Sequence, residues 1–192
     1  MARPRTFDEE QVLRDLRDRF WDAGYAATTL QDLMRISGLG KGSLYGAYGD
    51  KHALFLRTLK AYNAEGKEGT RATLESEPRA IDALRKVLVA PVGPGADRGC
   101  FLANSTCELA TEHADVRAEA KQTYDALADL IAACVERAQR DGDLLADEDA
   151  GELARTLLTA QQGLVYMGRA GTDLETLRAT ARVLSNRLLP IA

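Results

Sequence analysis

Histidine, cysteine and long apolar runs are scarce in this chain of 192 residues. Its three cysteines are unevenly spaced, which argues against the disulfide framework of a small secreted protein. No apolar run approaches the ~20 residues of a membrane-spanning helix and no N-terminal signal peptide is visible, so we expect a cytosolic protein. With two histidines and no phosphate loop or metal-ligand spacing, the sequence lacks the convergent groups of an enzyme. We therefore predict no catalytic residue, no metal and no cofactor.

The composition is otherwise that of a soluble globular protein, with 45% hydrophobic and 28% charged residues. The net charge of −4 is unevenly divided. Residues 1–60 carry 10 basic and 8 acidic side chains, whereas residues 61–192 carry 15 and 21. A basic end on an acidic body favours phosphate attraction at that end. Chance variation produces a similar split, so charge alone does not identify a DNA-binding protein.

Residues 28–52 read as two short helices joined by a glycine turn. Thr29 and Asp32 form a capping-box pattern at the start of the first helix. Gly38 suits the left-handed backbone that ends a helix, which a β-carbon would oppose. A second helix is predicted over about 41–48. This is the helix-turn-helix architecture, whose second helix lies in the DNA major groove.

The second helix of this motif contains two glycines, Gly42 and Gly46. Each costs about 1 kcal/mol relative to alanine in a helix, a cost that is easier to understand at a close contact surface than in a core helix. Donors that can reach phosphates or base edges lie along or just beyond it: Lys41, Ser43, Tyr45 and Lys51.

This stretch resembles the DNA-binding domain of the Tet repressor (TetR) family over about the first 60 residues. The family pattern has a Gly-Tyr, a Thr-Thr opening the first helix of the motif, a Gly-Val-Ser turn, and then Gly-x-Leu-Tyr-x-x-Phe-x-x-Lys. The matching positions here are Gly24-Tyr25, Thr28-Thr29, Gly38, Gly42, Leu44, Tyr45 and Lys51, with Tyr48 in place of Phe.

Two departures from the family pattern concern base reading. Gly40 stands where a Ser or Thr usually caps the recognition helix and touches phosphate. Gly46 and Ala47 stand where larger side chains are common. Base reading is therefore expected to fall more heavily on the start of the helix, at residues 41–43.

The resemblance implies an all-α protein of about nine helices. An N-terminal three-helix helix-turn-helix domain is expected over residues 1–50, a linking helix over 51–75, and an antiparallel helical ligand-binding and dimerisation domain over 76–192. The implied DNA-binding residues are Arg5, Thr29, Lys41, Gly42, Ser43, Tyr45, Tyr48 and Lys51. Arg5 belongs either to a basic arm that binds DNA or to a solvated terminus.

Two cysteines lie in the helix predicted over residues 99–110. Cys100 and Cys107 are seven residues apart and share a helix face. The segment is similar to one in some family members, and certain members with a cysteine near this place sense electrophiles or oxidants. Cys100 is thus either a reactive thiol, activated by the helix N-terminus and Arg98, or a small buried hydrophobe. Cys134, on a long apolar face, is expected in the core.

Histidine and two acids come together in the segment 111–115, a composition that could suggest a metal site. No second histidine is expected near His113, so a solvated linker is the simpler interpretation. His52 is interpreted as a solvated residue in the first turn of a helix.

Leucines repeat at steps of three and four near the C-terminus, which is the pattern of a helix seam that needs a partner. The partner is either helix 8 of the same chain or helices 8 and 9 of a second copy. Family members dimerise through a four-helix bundle of their last two helices, so we expect a homodimer. The seam residues are Leu174, Leu177, Ala181, Leu184 and Leu188.

Taken together, the residues and the resemblance predict a repressor that a small molecule releases from double-stranded operator DNA, with no membrane partner. Candidate ligand-binding residues, chosen by helical facing, are Phe101, Asn104, Cys107, Tyr124, Gln161 and Tyr166. The alternatives are a thiol-based electrophile or redox sensor that uses Cys100 or Cys107, and an interaction module that does not bind DNA.

Overall fold

The computed structural model describes residues 9–189. All its regular structure over that range is helical, which confirms the all-α prediction. The helices are α1 (Glu9–Ala23), α2 (Leu30–Ser37), α3 (Lys41–Tyr48), α4 (Lys51–Ser76), α5 (Ala80–Val89), α6 (Phe101–Leu109), α7 (Ala114–Arg140), α8 (Ala150–Arg169) and α9 (Leu174–Leu188). Arg5, predicted to bind DNA, lies outside the described residues.

The described chain packs as two compact units. The first takes the described residues up to Ala64 together with Phe101–Glu119, and so holds α1, α2, α3, α6 and the N-terminal parts of α4 and α7. The second takes Glu65–Cys100 and the described residues from Ala120 onward, and so holds α5, α8, α9 and the remainder of α4 and α7. The predicted boundaries of the DNA-binding domain, the linking helix and the ligand domain, near residues 50 and 75, concern function rather than packing and stay a prediction.

Aromatic rings fill the core of the first unit. Phe20 of α1 meets Phe55 of α4 edge to face, with ring centroids 5.3 Å apart. Phe101 of α6 meets Phe55 in the same way at 5.8 Å. All three side chains are almost fully buried. Such pairs contribute about 0.5–1.5 kcal/mol beyond the burial of their area, so this cluster fixes α1, α4 and α6 on one another.

The second unit is built around α5, whose apolar side chains pack against α7, α8 and α9. Cys134 of α7 belongs to this core and is 6% exposed, as predicted. Burial raises the pKa of the Cys134 thiol. Two polar side chains bind backbone carbonyls here: Gln161 Nε2 donates to the Val87 carbonyl at 2.6 Å, and Arg85 Nη2 donates to that of Leu189 at 2.7 Å.

The predicted leucine seam of α9 packs inside its own chain. Leu177 and Ala181 are each 2% exposed, and they form a small core with Leu164 of α8. Leu177 and Ala181 therefore face their own chain, whereas Leu174, Leu184 and Leu188 are only partly buried, and dimerisation through this seam stays a prediction. A leucine stripe shows that a face is buried but not which helix buries it. The seam residues that form these cores or pack against them are Leu174, Leu177, Ala181, Leu184 and Leu188.

Candidate DNA-binding surface

The turn between α2 and α3 is fixed by local hydrogen bonds. Thr29 Oγ1 accepts from the Asp32 backbone N–H at 3.1 Å, and Asp32 Oδ2 accepts from the Thr29 backbone N–H at 3.0 Å. This is the predicted capping box. Bonds from Thr29 hold the pKa of Asp32 well below its usual range. At the other end of α2, Gly38 has φ +66°, the left-handed conformation expected of it.

α3 presents two different faces. Leu44 and Tyr48 are buried and anchor the helix to the unit, with exposures of 0% and 5%. The residues at its N-terminal end, Lys41, Gly42 and Ser43, are exposed, and Tyr45 is half-buried. Gly40 is the N-cap of α3 and offers no side-chain hydrogen bond, so the capping acceptor that the family pattern expects is missing here. The exposed face can receive a phosphate or a base edge.

The glycines of α3 are not required by packing within the chain. A β-carbon added to Gly42 or Gly46 would meet no atom within 4 Å. Both residues are exposed and lie on α3 with negative φ. If close approach is the reason for glycine at these positions, it is approach to something outside the chain, such as the wall of a DNA groove.

Tyr48 is the one predicted DNA-binding residue whose side chain the structure turns inward. Its ring is covered by the guanidinium of Arg57 on α4, 5.2 Å from the ring centroid. The burial of Tyr48 counts against a direct contact with DNA, and its role stays a prediction.

Lys51 lies at the start of α4 and points at an aromatic ring. Its Nζ atom is 4.4 Å from the centroid of the Tyr25 ring, a cation–π distance. Burial lowers the pKa of the Lys51 ammonium group, and the charge of Glu108 acts in the opposite direction. The ring thus holds the ammonium group at the first turn of α4, where backbone N–H groups also favour an anion.

Glu108 of α6 binds the chain between α1 and α2. Its Oε2 accepts from the Tyr25 backbone N–H at 2.9 Å and its Oε1 accepts from the Ala26 backbone N–H at 2.8 Å. We call this arrangement the Glu108 clasp. Gly24 precedes it with φ +83°, and a β-carbon there would lie 3.0 Å from Glu108 Oε2. The clasp and the positive φ both favour glycine at position 24, and sequence reasoning missed the clasp because residues 25 and 108 are far apart in the chain.

His52 and His113 lie side by side, contrary to the expectation that no second histidine would be near His113. Their ring centroids are 4.4 Å apart and the rings are stacked at 22°. His52 Nε2 is 2.8 Å from Asp115 Oδ2. That bond, the largest cause, lowers the pKa of Asp115. His52 is half-buried rather than solvated.

The six predicted ligand residues have different environments within their units. Phe101 is a core residue of the first unit, as described above, and Cys107 is exposed on the same helix. In the second unit, Tyr166 is 70% exposed and the Gln161 amide binds Val87. A cavity of about 170 Å³ in the second unit is lined by other residues: Ala90, Pro91, Gly93, Pro94, Gly95, Ala96, Gly99 and Val165. The role of the six predicted residues in binding a ligand stays a prediction.

The fold and the exposed face of α3 define a helix-turn-helix DNA-binding protein. Residues 14–58 match the family model for bacterial regulatory proteins of the tetR family, and residues 72–184 match that for the tetracyclin repressor-like C-terminal domain. The chain belongs to the TetR family and is a DNA-binding transcriptional regulator.

Sequence and structural similarity to other transcriptional regulators supports this assignment. The chain is 29% identical over 184 residues to the uncharacterized HTH-type transcriptional regulator YezE of Bacillus subtilis, covering 93% of this chain and 94% of that protein. It is 26% identical over 185 residues to the HTH-type transcriptional repressor ComR of Escherichia coli, covering 94% and 88%. A cysteine mutant of the TetR family regulator CifR, solved with a 26-base-pair operator DNA, has 28% identity and a TM-score of 0.83 over 98% of this chain and 100% of that one.

None of the helices within residues 9–189 combines the length and the apolar character that crossing a membrane requires. The cytosolic location stays a prediction.

Proposed function

We propose that this regulator is a repressor that binds operator DNA as a homodimer and leaves it when a small molecule binds. The observation that carries the proposal is the exposed N-terminal end of α3, held by buried Leu44 beneath it and by the capped turn before it. The similarity to the repressor ComR supports repression rather than activation.

Operator binding is assigned to the exposed residues of α3 and the start of α4. Lys41 and Lys51 supply positive charge, and Ser43 and Tyr45 supply hydroxyl groups that reach phosphates or base edges. Thr29 is exposed at the N-terminus of α2, where backbone N–H groups favour a phosphate.

Fluorescence anisotropy with the DNA upstream of the protein's own gene tests this assignment. Lys41→Ala and Tyr45→Ala should weaken binding, and Lys41→Ala should reduce the slope of log affinity against log salt by about 1, because each phosphate contact releases counterions. Lys121→Ala, an exposed lysine of α7, is the matched control. Wild-type affinity in both α3 variants would refute the proposal.

The homodimer is assigned to the exposed apolar side chains of α8 and α9. Tyr166 and Met167 on α8 and Val183 on α9 are 70%, 48% and 58% exposed. These exposed side chains and the partly buried Leu174, Leu184 and Leu188 of α9 offer an apolar surface to a second copy. Burying them would stabilise a dimer that presents two α3 helices to one DNA.

The effector is expected to be a small, mainly apolar molecule that binds the ligand domain. It must bind the DNA-bound and free states with different affinities, since a ligand with equal affinities shifts no equilibrium. A thermal-shift screen of apolar molecules, followed by anisotropy with each hit, identifies it. Hits that stabilise the protein but leave operator affinity unchanged would count against this mode of regulation.

Cys107 favours a second candidate function, sensing by a thiol. Its side chain is exposed, and the next residue is Glu108 of the clasp. A bulky adduct on the Cys107 sulfur would crowd that helix surface and disturb the clasp. Treatment with N-ethylmaleimide should then lower operator affinity in the wild type and in Cys100→Ser but not in Cys107→Ser. Unchanged affinity after complete alkylation of the wild type would exclude thiol sensing.

A further inference from the structure

We propose that His52, His113 and Asp115 form a binding site for a transition-metal cation of the zinc type, such as Zn²⁺, Ni²⁺ or Cu²⁺. We call these three residues the histidine cluster. They come from two separate parts of the first unit: His52 from the first turn of α4, and the other two from the start of α7. Each supplies one nitrogen or oxygen, and these three atoms lie within 4.8 Å of one another.

The donor set selects the class of metal. Two imidazole nitrogens and one carboxylate oxygen suit zinc, copper and nickel better than calcium or magnesium, which prefer oxygen ligands alone. Zinc binds such atoms at about 2.0–2.2 Å, so paired ligands in a tetrahedral site lie roughly 3.4 Å apart. His52 Nε2 and Asp115 Oδ2 are already 2.8 Å apart. To bind one ion, these two atoms would separate slightly and the stacked rings would turn their edges toward a common point.

The histidine cluster lies at the surface of the first unit. His52 and His113 are half-buried, and Asp115 is exposed, so the site opens to solvent on one side. Three protein ligands leave a position for water, as in exchangeable rather than closed structural sites. The ring of Tyr25 lies 5.9 Å from His52 and 6.1 Å from His113 and limits how far either ring can turn.

Local charge opposes a cation in one respect and favours it in another. The cluster lies at the N-termini of α4 and α7, whose partial positive charges disfavour a cation. Lys51 over the Tyr25 ring adds a positive charge nearby. The carboxylates of Asp50, Asp115 and Glu108 act on the same ring and supply three negative charges. Around the Tyr25 ring, which packs against both histidines, these acids outnumber Lys51.

Because the chain has two histidines and both lie in the cluster, every imidazole signal reports on this site. We would label histidine with ¹⁵N in a Cys100→Ser/Cys107→Ser variant, which removes the two thiols outside the core, and add equimolar Zn²⁺. Both imidazole resonances should shift, with one Zn²⁺ bound per chain by calorimetry. His52→Gln and His113→Gln should each weaken binding about tenfold or more, in line with the loss of a metal-supporting group.

Glu112→Gln, which changes an exposed acid next to the cluster, is the matched control and should bind Zn²⁺ as the parent does. Circular dichroism and thermal melting establish that each variant is folded. Imidazole resonances that do not move at saturating Zn²⁺ would overturn the site, as would equal Zn²⁺ affinity in the parent and both glutamine variants.

A bound metal would tie the first turn of α4 to the start of α7, and we expect it to change operator affinity by about fivefold or more, within the usual range of allosteric coupling. This consequence rests on the proposed function, whereas the site does not. If Zn²⁺ binds at the cluster and operator affinity stays the same, the regulatory role is wrong and the site stands. If the protein binds no operator with or without Zn²⁺, the proposed function is wrong.

Discussion

The carboxylate of Glu108 accepts a hydrogen bond from the Tyr25 backbone N–H at 2.9 Å, although the two residues are 83 positions apart. With the bond from Ala26, this clasp joins α6 to the segment that leads into the helix-turn-helix. A change in the position of α6 would therefore reach the DNA-binding helices through two hydrogen bonds to a charged acceptor, which are stronger than neutral ones.

Glu108→Gln should weaken the clasp, because an amide has one acceptor oxygen and turns an N–H group toward one of the two backbone donors. Hydrogen bonds to charged groups contribute about 1.5–3 kcal/mol, and the exposure of Glu108 reduces this to roughly 1 kcal/mol. Thermal melting should show a Tm lower by about 2–4 °C. Glu112→Gln is the control, and an equal loss in both variants would argue against the clasp.

Gly42→Ala and Gly46→Ala should each stabilise the protein and weaken operator binding. The added methyl group meets no atom of the chain, and alanine is favoured over glycine in a helix by about 1 kcal/mol. Against DNA the same methyl group would keep α3 away from the groove. Melting and anisotropy measure the two effects.

Gly66→Ala provides the comparison for these glycines, since Gly66 is exposed on α4 and a β-carbon there also meets no atom. It should raise the Tm and leave operator affinity unchanged. If Gly42→Ala behaves like Gly66→Ala, close approach of α3 to DNA is the wrong explanation for its glycines.

The capping box predicts a particular dependence of stability on pH. Because Thr29 lowers the pKa of Asp32 in the folded protein, the Asp32 carboxylate adds stability above its unfolded pKa of about 3.9, and this contribution is lost as the pH falls further. Urea unfolding should show a constant difference between wild type and Asp32→Asn above about pH 5, and a smaller difference toward pH 3. A difference that grows in acid would contradict this assignment.

Tyr166→Glu and Val183→Glu should separate the proposed dimer, because each places a charge on an apolar surface that a second copy would bury. Analytical ultracentrifugation measures the change as a loss of the dimer at micromolar concentration. Leu145→Glu is the control, since Leu145 is 72% exposed in the connection between α7 and α8. Dimers of equal strength in all three variants would place the interface elsewhere.

The helix-turn-helix could be predicted from the sequence because its signals are local. The Thr29–Asp32 box and the left-handed Gly38 act within a few residues of themselves, and both were found as predicted. The burial of Tyr48 could not be predicted in the same way, because closeness in sequence to the exposed residues of α3 does not show which face of the helix a side chain occupies.

The features that sequence could not give depend on contacts between distant parts of the chain. The leucine stripe on α9 indicated a buried face but not that α5 and α8 of the same chain bury it. His52 and His113 are 61 positions apart in the sequence, and the packing of α4 against the start of α7 brings them together. No periodicity or spacing rule reports such a contact.

Because Gly24 fits tightly against Glu108, substitutions at these two positions affect each other unequally. Any side chain at position 24 is strained by the positive φ and also crowds the carboxylate that binds the two amide donors. Replacing Glu108 relieves the crowding but leaves the backbone strain, so a lineage can dispense with the acid and keep the glycine far more easily than the reverse.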